Sequence, residues 1–159
     1  MSENTLTDIL VENLRRGGIN KLTKMRASQK MNMHREIGNN SYIADIFISL
    51  YKNEEIKKFN TRQVRFIAIE VKIKDWKQGL YQAWRYNSFA EKSYLAVYEK
   101  YTKNIDVQLF KEYNVGLIVF TETTIKVLNT PRGNKFLNTS NTLDLRKSLW
   151  NKLPIEKAI

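Results

Sequence analysis

The residues best suited to chemistry lie in two apolar runs. Ile67–Ile73 reads IAIEVKI, and Tyr42–Ile48 reads YIADIFI, so Glu70, Lys72 and Asp45 sit where buried strand residues are expected. Burying a charge is costly unless a partner offsets it. Side chains in a strand alternate with a period of two, which puts Glu70 and Lys72 on one face of a sheet. An adjacent strand can bring Asp45 beside them. Two neighbouring carboxylates repel unless a cation lies between them, and an oxygen-lined pair suits Mg²⁺, with Mn²⁺ as an alternative. The Val71 carbonyl, between the two charged residues, is a third candidate donor. A cation held by Asp45, Glu70 and Val71 would polarise a phosphoryl oxygen and acidify a water molecule. Lys72 would orient that water and stabilise charge growing on phosphorus, or act as the base if its own surroundings allowed. The implied chemistry is hydrolysis of a phosphodiester.

These residues need a scaffold, and hydrophobic periodicity supplies one. Leu6, Ile9, Leu10 and Leu14 predict a helix over Thr5–Arg16, stopped by Gly17-Gly18. Alternation predicts a strand with one irregularity over Lys24–Ile37, a second over Tyr42–Tyr51 and a third over Arg65–Ile73, with the polar run Lys52–Asn60 as a connecting turn. Asp75 is a natural N-cap for a central helix running to about Lys92, with Trp76, Leu80, Ala83, Trp84 and Ala90 as its apolar stripe. Beyond it, Ser93–Tyr98 reads as a strand, Ile105–Tyr113 as a short helix, Val115–Phe120 and Thr124–Leu128 as a strand pair, and Leu143–Leu153 as a helix. Asn129–Ser140 is the longest predicted loop and the expected site of greatest mobility. Strands alternating with helices predict an α/β fold, the unit Arg65–Tyr98 supplying a parallel neighbour. Trp76, Trp84 and Phe89 read as core rather than base-stacking residues, and the single histidine, His34, is not needed by the chemistry.

The chain has 159 residues, enough for one domain spanning 1–159. It has no cysteine, which excludes disulfides and thiolate metal sites, and no apolar run long enough for a membrane span. The first residues, MSENTLTDIL, lack the pattern of a secretory signal, so a cytoplasmic setting without a membrane partner is expected. Lys and Arg total 27 against 16 Asp and Glu, a net charge of +11, which favours an acidic partner such as nucleic acid.

Asp45, followed 25 residues later by Glu70-Val71-Lys72 and then by the helix segment Gln82-Ala83-Trp84-Arg85-Tyr86, resembles the PD-(D/E)XK nuclease superfamily. The segment QAWRY is similar to the Q-x-x-x-Y helix motif of its RecB-like branches. The likeness runs from the first helix to about Leu128, in the order helix, three strands, helix, strand. It implies a restriction-endonuclease-like fold: a mixed central sheet flanked by helices. It also implies that Asp45 and Glu70 bind metal, that Lys72 is catalytic, and that Gln82 and Tyr86 lie beside the site. The proline that names the motif is Ala44 here, a backbone position rather than a ligand. Some members add a first-helix glutamate, for which Glu12 is the candidate and Glu36 the second choice.

Lys74, Arg85, Arg15 and Arg16 are the candidate phosphate contacts; Lys21, Lys24, Arg26, Lys30 and Arg132 are further basic positions. The expected activity is Mg²⁺-dependent cleavage of DNA. A binding module without chemistry and a metal-dependent RNase are the alternatives. A chain this short leaves little surface for reading base sequence, which suggests a homodimer or a targeting partner protein.

Overall fold

The computed structural model describes residues 1–26, 28–39, 42–52, 63–133 and 139–153. Its centre is a six-stranded mixed sheet in sequential order: β1 (Gln29–Asn39), β2 (Tyr42–Lys52), β3 (Val64–Lys72), β4 (Lys92–Tyr98), β5 (Gly116–Phe120) and β6 (Ile125–Asn129). β1, β2 and β3 form an antiparallel meander, β3, β4 and β5 run parallel, and β6 returns antiparallel. The unbroken burial of Ile46–Leu50 and Phe66–Val71 follows from helices covering both faces there.

Helix α1 (Glu3–Asn13) starts where Ser2 accepts a hydrogen bond from the Thr5 N–H at 3.1 Å. Gly17, at φ +106°, breaks the helical path, and one further turn, α2 (Ile19–Leu22), follows. Gly18 must lack a side chain, because a Cβ there would lie 2.6 Å from Ile125 Cδ1 and 2.7 Å from the Asn13 carbonyl oxygen. Leu6, Leu10 and Leu14 pack on one sheet face with Ile46, Ile48, Ile69, Val71, Ala96 and Ile118.

The other face carries α3 (Trp76–Arg85), α4 (Val107–Tyr113) and α5 (Ser140–Lys152). Leu80 and Ala83 of α3 and Phe110 of α4 close over Leu95, Val97, Leu117 and Val119. Leu149 of α5 joins Phe47, Phe66, Ala68 and Phe89. Arg146 anchors α5: wholly buried, it donates to both Glu91 carboxylate oxygens at 2.6 and 2.9 Å and to the carbonyls of Phe89 and Val64 at 2.7 and 3.1 Å.

Several expectations shift. The first strand begins at Gln29, not Lys24, and its irregularity falls at Glu36, which takes a left-handed φ of 56° between the pairs Arg35–Ile46 and Ile37–Ala44. The central helix ends at Arg85 rather than near Lys92; after a single 3₁₀ turn, Tyr86–Ser88, Phe89 and Ala90 enter the core outside any helix. The parallel register Ile67–Lys92 demands this, since the chain must be back at the start of β3 by residue 92. Trp84 departs from the apolar stripe at 42 % exposed, beside exposed Tyr81 and Tyr113, while Phe89 is buried and Trp76 partly so. His34 is buried in β1. The predicted turn Lys52–Asn60 lies, beyond Lys52, outside the described residues, as does the middle of the predicted loop Asn129–Ser140. Among the described residues, no helix is long and apolar enough to cross a membrane.

Candidate functional site

The β2–β3 ladder ends at the pair Ile46–Ile69, so the next residue on each strand, Asp45 and Glu70, lies just beyond the last pair, near enough for the Asp45 charge to act on Glu70. Asp45 Oδ2 accepts the Val71 N–H at 2.8 Å, tying its carboxylate to β3. In an extended strand the N–H and C=O of one residue point to the same side, so the Val71 carbonyl is also directed toward the Asp45 edge. Lys72 Nζ lies 3.7 Å from Glu70 Oε1, both side chains largely buried. The period of two has put both charges on one face, as β3 required.

Burial pushes the Asp45 carboxyl above its ordinary value, opposed by the Val71 N–H. Burial, and then the Asp45 charge, push Glu70 up to about 7, against a hydrogen bond from Tyr86 and the charge of Lys72. Burial and the neighbouring Glu70 also push the Tyr86 phenol far above its ordinary range, so it stays protonated. Tyr86 has one hydroxyl proton and two acceptors, Glu70 Oε2 and the Ile43 carbonyl at 2.7 Å. A protonated Glu70 satisfies both contacts, donating to Tyr86 Oη while Tyr86 donates to Ile43. A bound cation would replace that proton.

Helix α3 forms the opposite wall. Gln78, Gln82 and Tyr86 follow at intervals of four residues and therefore share a face. Gln78 lines a cleft with Lys72, and Tyr86 reaches Glu70, which places Gln82 between them along the helix. Gln82 Oε1 is buried with no hydrogen-bond partner among the described residues. A buried acceptor without a donor is costly, and it suits a water held over the carboxylates. The helix comes this close because of Gly79, where a Cβ would meet Lys72 Cγ at 2.7 Å and Leu95 Cδ1 at 2.6 Å.

The first helix contributes differently from the expectation. Glu12 is half-exposed and paired with Arg15 at 3.2 Å. It lies nine positions on from Glu3, roughly 13 Å along the axis and half a turn around it. Glu3, not Glu12, lines the cleft with Lys72, and its charge raises the pKa of both Asp45 and Glu70. Glu12 is thus carried away from the carboxylates by the regular pitch of α1, and Arg15 and Arg16 lie beyond it at the same far end. Glu36, on the kinked part of β1, is exposed. The sequence offered one sign of Glu3, the Ser2 cap that puts it in the first turn; which end of α1 meets the sheet edge is not written locally. Arg35 joins the site without any local sign in the sequence: Asp8 and Asn4 of α1 hold its guanidinium, and its charge lowers the pKa of Asp45.

Among the other basic positions, Lys74 lines the cleft, which encloses about 630 Å³ with Glu3, Lys72, Gln78 and Tyr101. Arg85, half-buried at the end of α3, lies over the Tyr42 ring at 4.1 Å. Lys21 is spent on a 2.6 Å bond to the Ile125 carbonyl. Among the described residues, no three His, Cys, Asp or Glu side chains form a metal cluster. Mg²⁺ commonly needs only one or two carboxylates, with waters and substrate completing the shell. Asp45, Glu70 and the Val71 carbonyl fit such an ion, with the unpartnered Gln82 oxygen on the facing helix as a partner for its water.

The class defined by this architecture is an α/β protein with a six-stranded mixed sheet flanked by helices. No family model matches the chain, and no curated protein sequence matches it. Among solved structures it is similar to the SPO1766 protein of unknown function from Silicibacter pomeroyi, with a TM-score of 0.53 and 14 % identity over 90 % of this chain and 77 % of that one. A likeness at that identity speaks to the fold alone.

Proposed function

We propose that this chain is a small metal-dependent nuclease of the restriction-endonuclease-like kind, cleaving phosphodiester bonds in DNA at the edge between β2 and β3. The observation that carries the reading is the closeness of two partly desolvated carboxylates, Asp45 and Glu70, just past the end of the β2–β3 ladder, with Lys72 against one and the buried Gln82 oxygen on the facing helix. Two acids crowded this way favour a cation between them over a salt bridge of structural use alone.

Asp45, Glu70 and the Val71 carbonyl would hold Mg²⁺ or Mn²⁺. Such an ion supplies Lewis-acid polarisation of the phosphoryl oxygen and acidifies water. Lys72, fixed by Glu70 and by the close approach at Gly79, places its ammonium to neutralise charge developing on the phosphoryl oxygens. Gln82 accepts from the attacking water and orients it. That water's oxygen bonds to phosphorus as one of its protons passes to solvent, one ester P–O bond breaks, and the departing alkoxide takes a proton from solvent. Tyr86 keeps the Glu70 carboxylate pointed into the site through its hydroxyl.

The test is a cleavage panel with Mg²⁺ and Mn²⁺ over linear, circular, nicked and branched DNA, with matching single- and double-stranded RNA. Divalent-dependent cleavage should fall at least about a hundredfold in Asp45→Asn, Glu70→Gln and Lys72→Ala proteins that still unfold cooperatively on heating. Undiminished cleavage by purified Asp45→Asn and Glu70→Gln would sink the proposal. Preference for RNA in the panel would move the substrate, not the site.

A further inference from the structure

We propose that a second cleft, continuous with the candidate site, is a nucleotide-phosphate subsite in which Lys74, Lys100 and Lys103 hold a phosphate next along the strand from the one attacked. This rests on the nuclease reading for its place in catalysis, though not for its ligand chemistry.

The cleft encloses about 400 Å³ between the segment that follows β3 and the segment that follows β4, and is lined by Ile73, Lys74, Asp75, Trp76, Val97, Lys100, Tyr101 and Lys103. It therefore opens beyond the carboxyl ends of two adjacent parallel strands, where open α/β sheets bind ligands. Its volume falls within the range of roughly 300–1,000 Å³ that accepts small ligands. Three lysines against one aspartate leave its lining at +2. The Asp75 carboxylate is committed to the Gln78 N–H at 3.2 Å, where it caps α3. None of the three lysines belongs to the ion pairs Glu12–Arg15, Asp8–Arg35, Glu70–Lys72 or Glu91–Arg146. Lysine binds phosphate as a mobile point charge, which exposed stems of this kind permit. The Tyr101 ring lies 5.9 Å beneath the Lys100 ammonium and Trp76 packs on Phe110, so the two rings form the apolar side of the cleft.

Continuity links this cleft to the chemistry. Ile73, Lys74, Asp75 and Tyr101 line both clefts, and Lys72 lines the one toward Glu3. Lys72 and Lys74 are two residues apart, a reach of at most about 7 Å of backbone, comparable with the step between successive phosphates on one strand. A chain whose scissile phosphate meets Lys72 thus presents its neighbour to Lys74, Lys100 and Lys103.

The probe is thymidine 3′,5′-bisphosphate, titrated calorimetrically into the full chain in EDTA, so that neither divalent ion nor turnover contributes; unphosphorylated thymidine is the control. The bisphosphate should bind, thymidine should not, and the Lys100→Ala/Lys103→Ala variant should bind at least tenfold more weakly while its thermal transition is unchanged. Asp45→Asn should retain the affinity. Equal binding by the double lysine variant, or no binding by the unaltered protein, overturns the subsite. Lysine-dependent binding from a protein that cleaves nothing in the substrate panel would keep the phosphate site and discard the nuclease reading.

Discussion

At the scale of single residues, Glu70 governs how the site responds to pH. Its carboxyl has an ordinary value of 4.5 and is pushed up to about 7 in the fold. Between those values the folded protein keeps a proton that the unfolded chain gives up. The contribution of Glu70 to stability is therefore fully present below about pH 4.5 and is lost as pH rises toward 7, by about 1.4 kcal/mol per unit. Glu70→Gln removes the titration and, through its amide, keeps a donor for Tyr86 Oη. In EDTA its melting temperature should match that of the unaltered protein near pH 4.5 and exceed it by several degrees at pH 8. A difference that stays flat across this range would show that Glu70 titrates normally. Added Mg²⁺ should reverse the trend, because a ligand that binds only the folded state stabilises it, and this ligand competes with the proton.

At the scale of elements, two contacts keep the site in shape. Gly79 lets α3 rest on the aliphatic stem of Lys72, and an added Cβ must displace that stem or Leu95. Alanine is the better helix former, yet overpacking outweighs the gain of about 1 kcal/mol. Gly79→Ala should lose about 1–2 kcal/mol in urea unfolding and lower cleavage more than its stability loss explains. Arg146 holds α5 against the start of β3 through Glu91 and two backbone carbonyls. Arg146→Ala leaves Glu91 with the Phe66 N–H but without its charged partner, removes the Arg146 donor from both carbonyls, and should cost about 3–5 kcal/mol by the same measurement. Arg146→Lys keeps the charge but loses the two-pronged bond, so it should fall between the two proteins.

At the scale of the molecule, the net charge of +11 is spread unevenly with respect to the carboxylates. Lys74 lines the cleft, whereas Arg15 and Arg16 sit at the far end of α1, Arg15 already paired with Glu12. Binding of duplex DNA in Ca²⁺ should weaken with salt along a linear log–log plot. Lys74→Ala should make that slope shallower by about 0.9, one phosphate contact, and the double change Arg15→Ala/Arg16→Ala should leave it unaltered. Equal losses of slope from both variants would mean that DNA covers α1 as well.

Much of this architecture follows from periodicities that the backbone imposes over a few residues. The alternation in IAIEVKI put Glu70 and Lys72 on one face, and the short approach to YIADIFI made Asp45 a neighbour. The spacing of Gln82 and Tyr86 put them on one side of a helix whose start Asp75 announced. Such relations need only the geometry of one strand or one helix, so they survive without knowledge of the rest of the chain. What the tertiary structure alone decided is how elements distant in sequence meet. It chose Glu3 over Glu12, turned the chain out of α3 at Arg85 to keep the β4 register, and gave the one Tyr86 proton two acceptors. It also supplied the burial that holds Glu70 near neutrality. Each depends on packing between surfaces made by separate segments, and no local pattern of residue types encodes which surfaces will face each other.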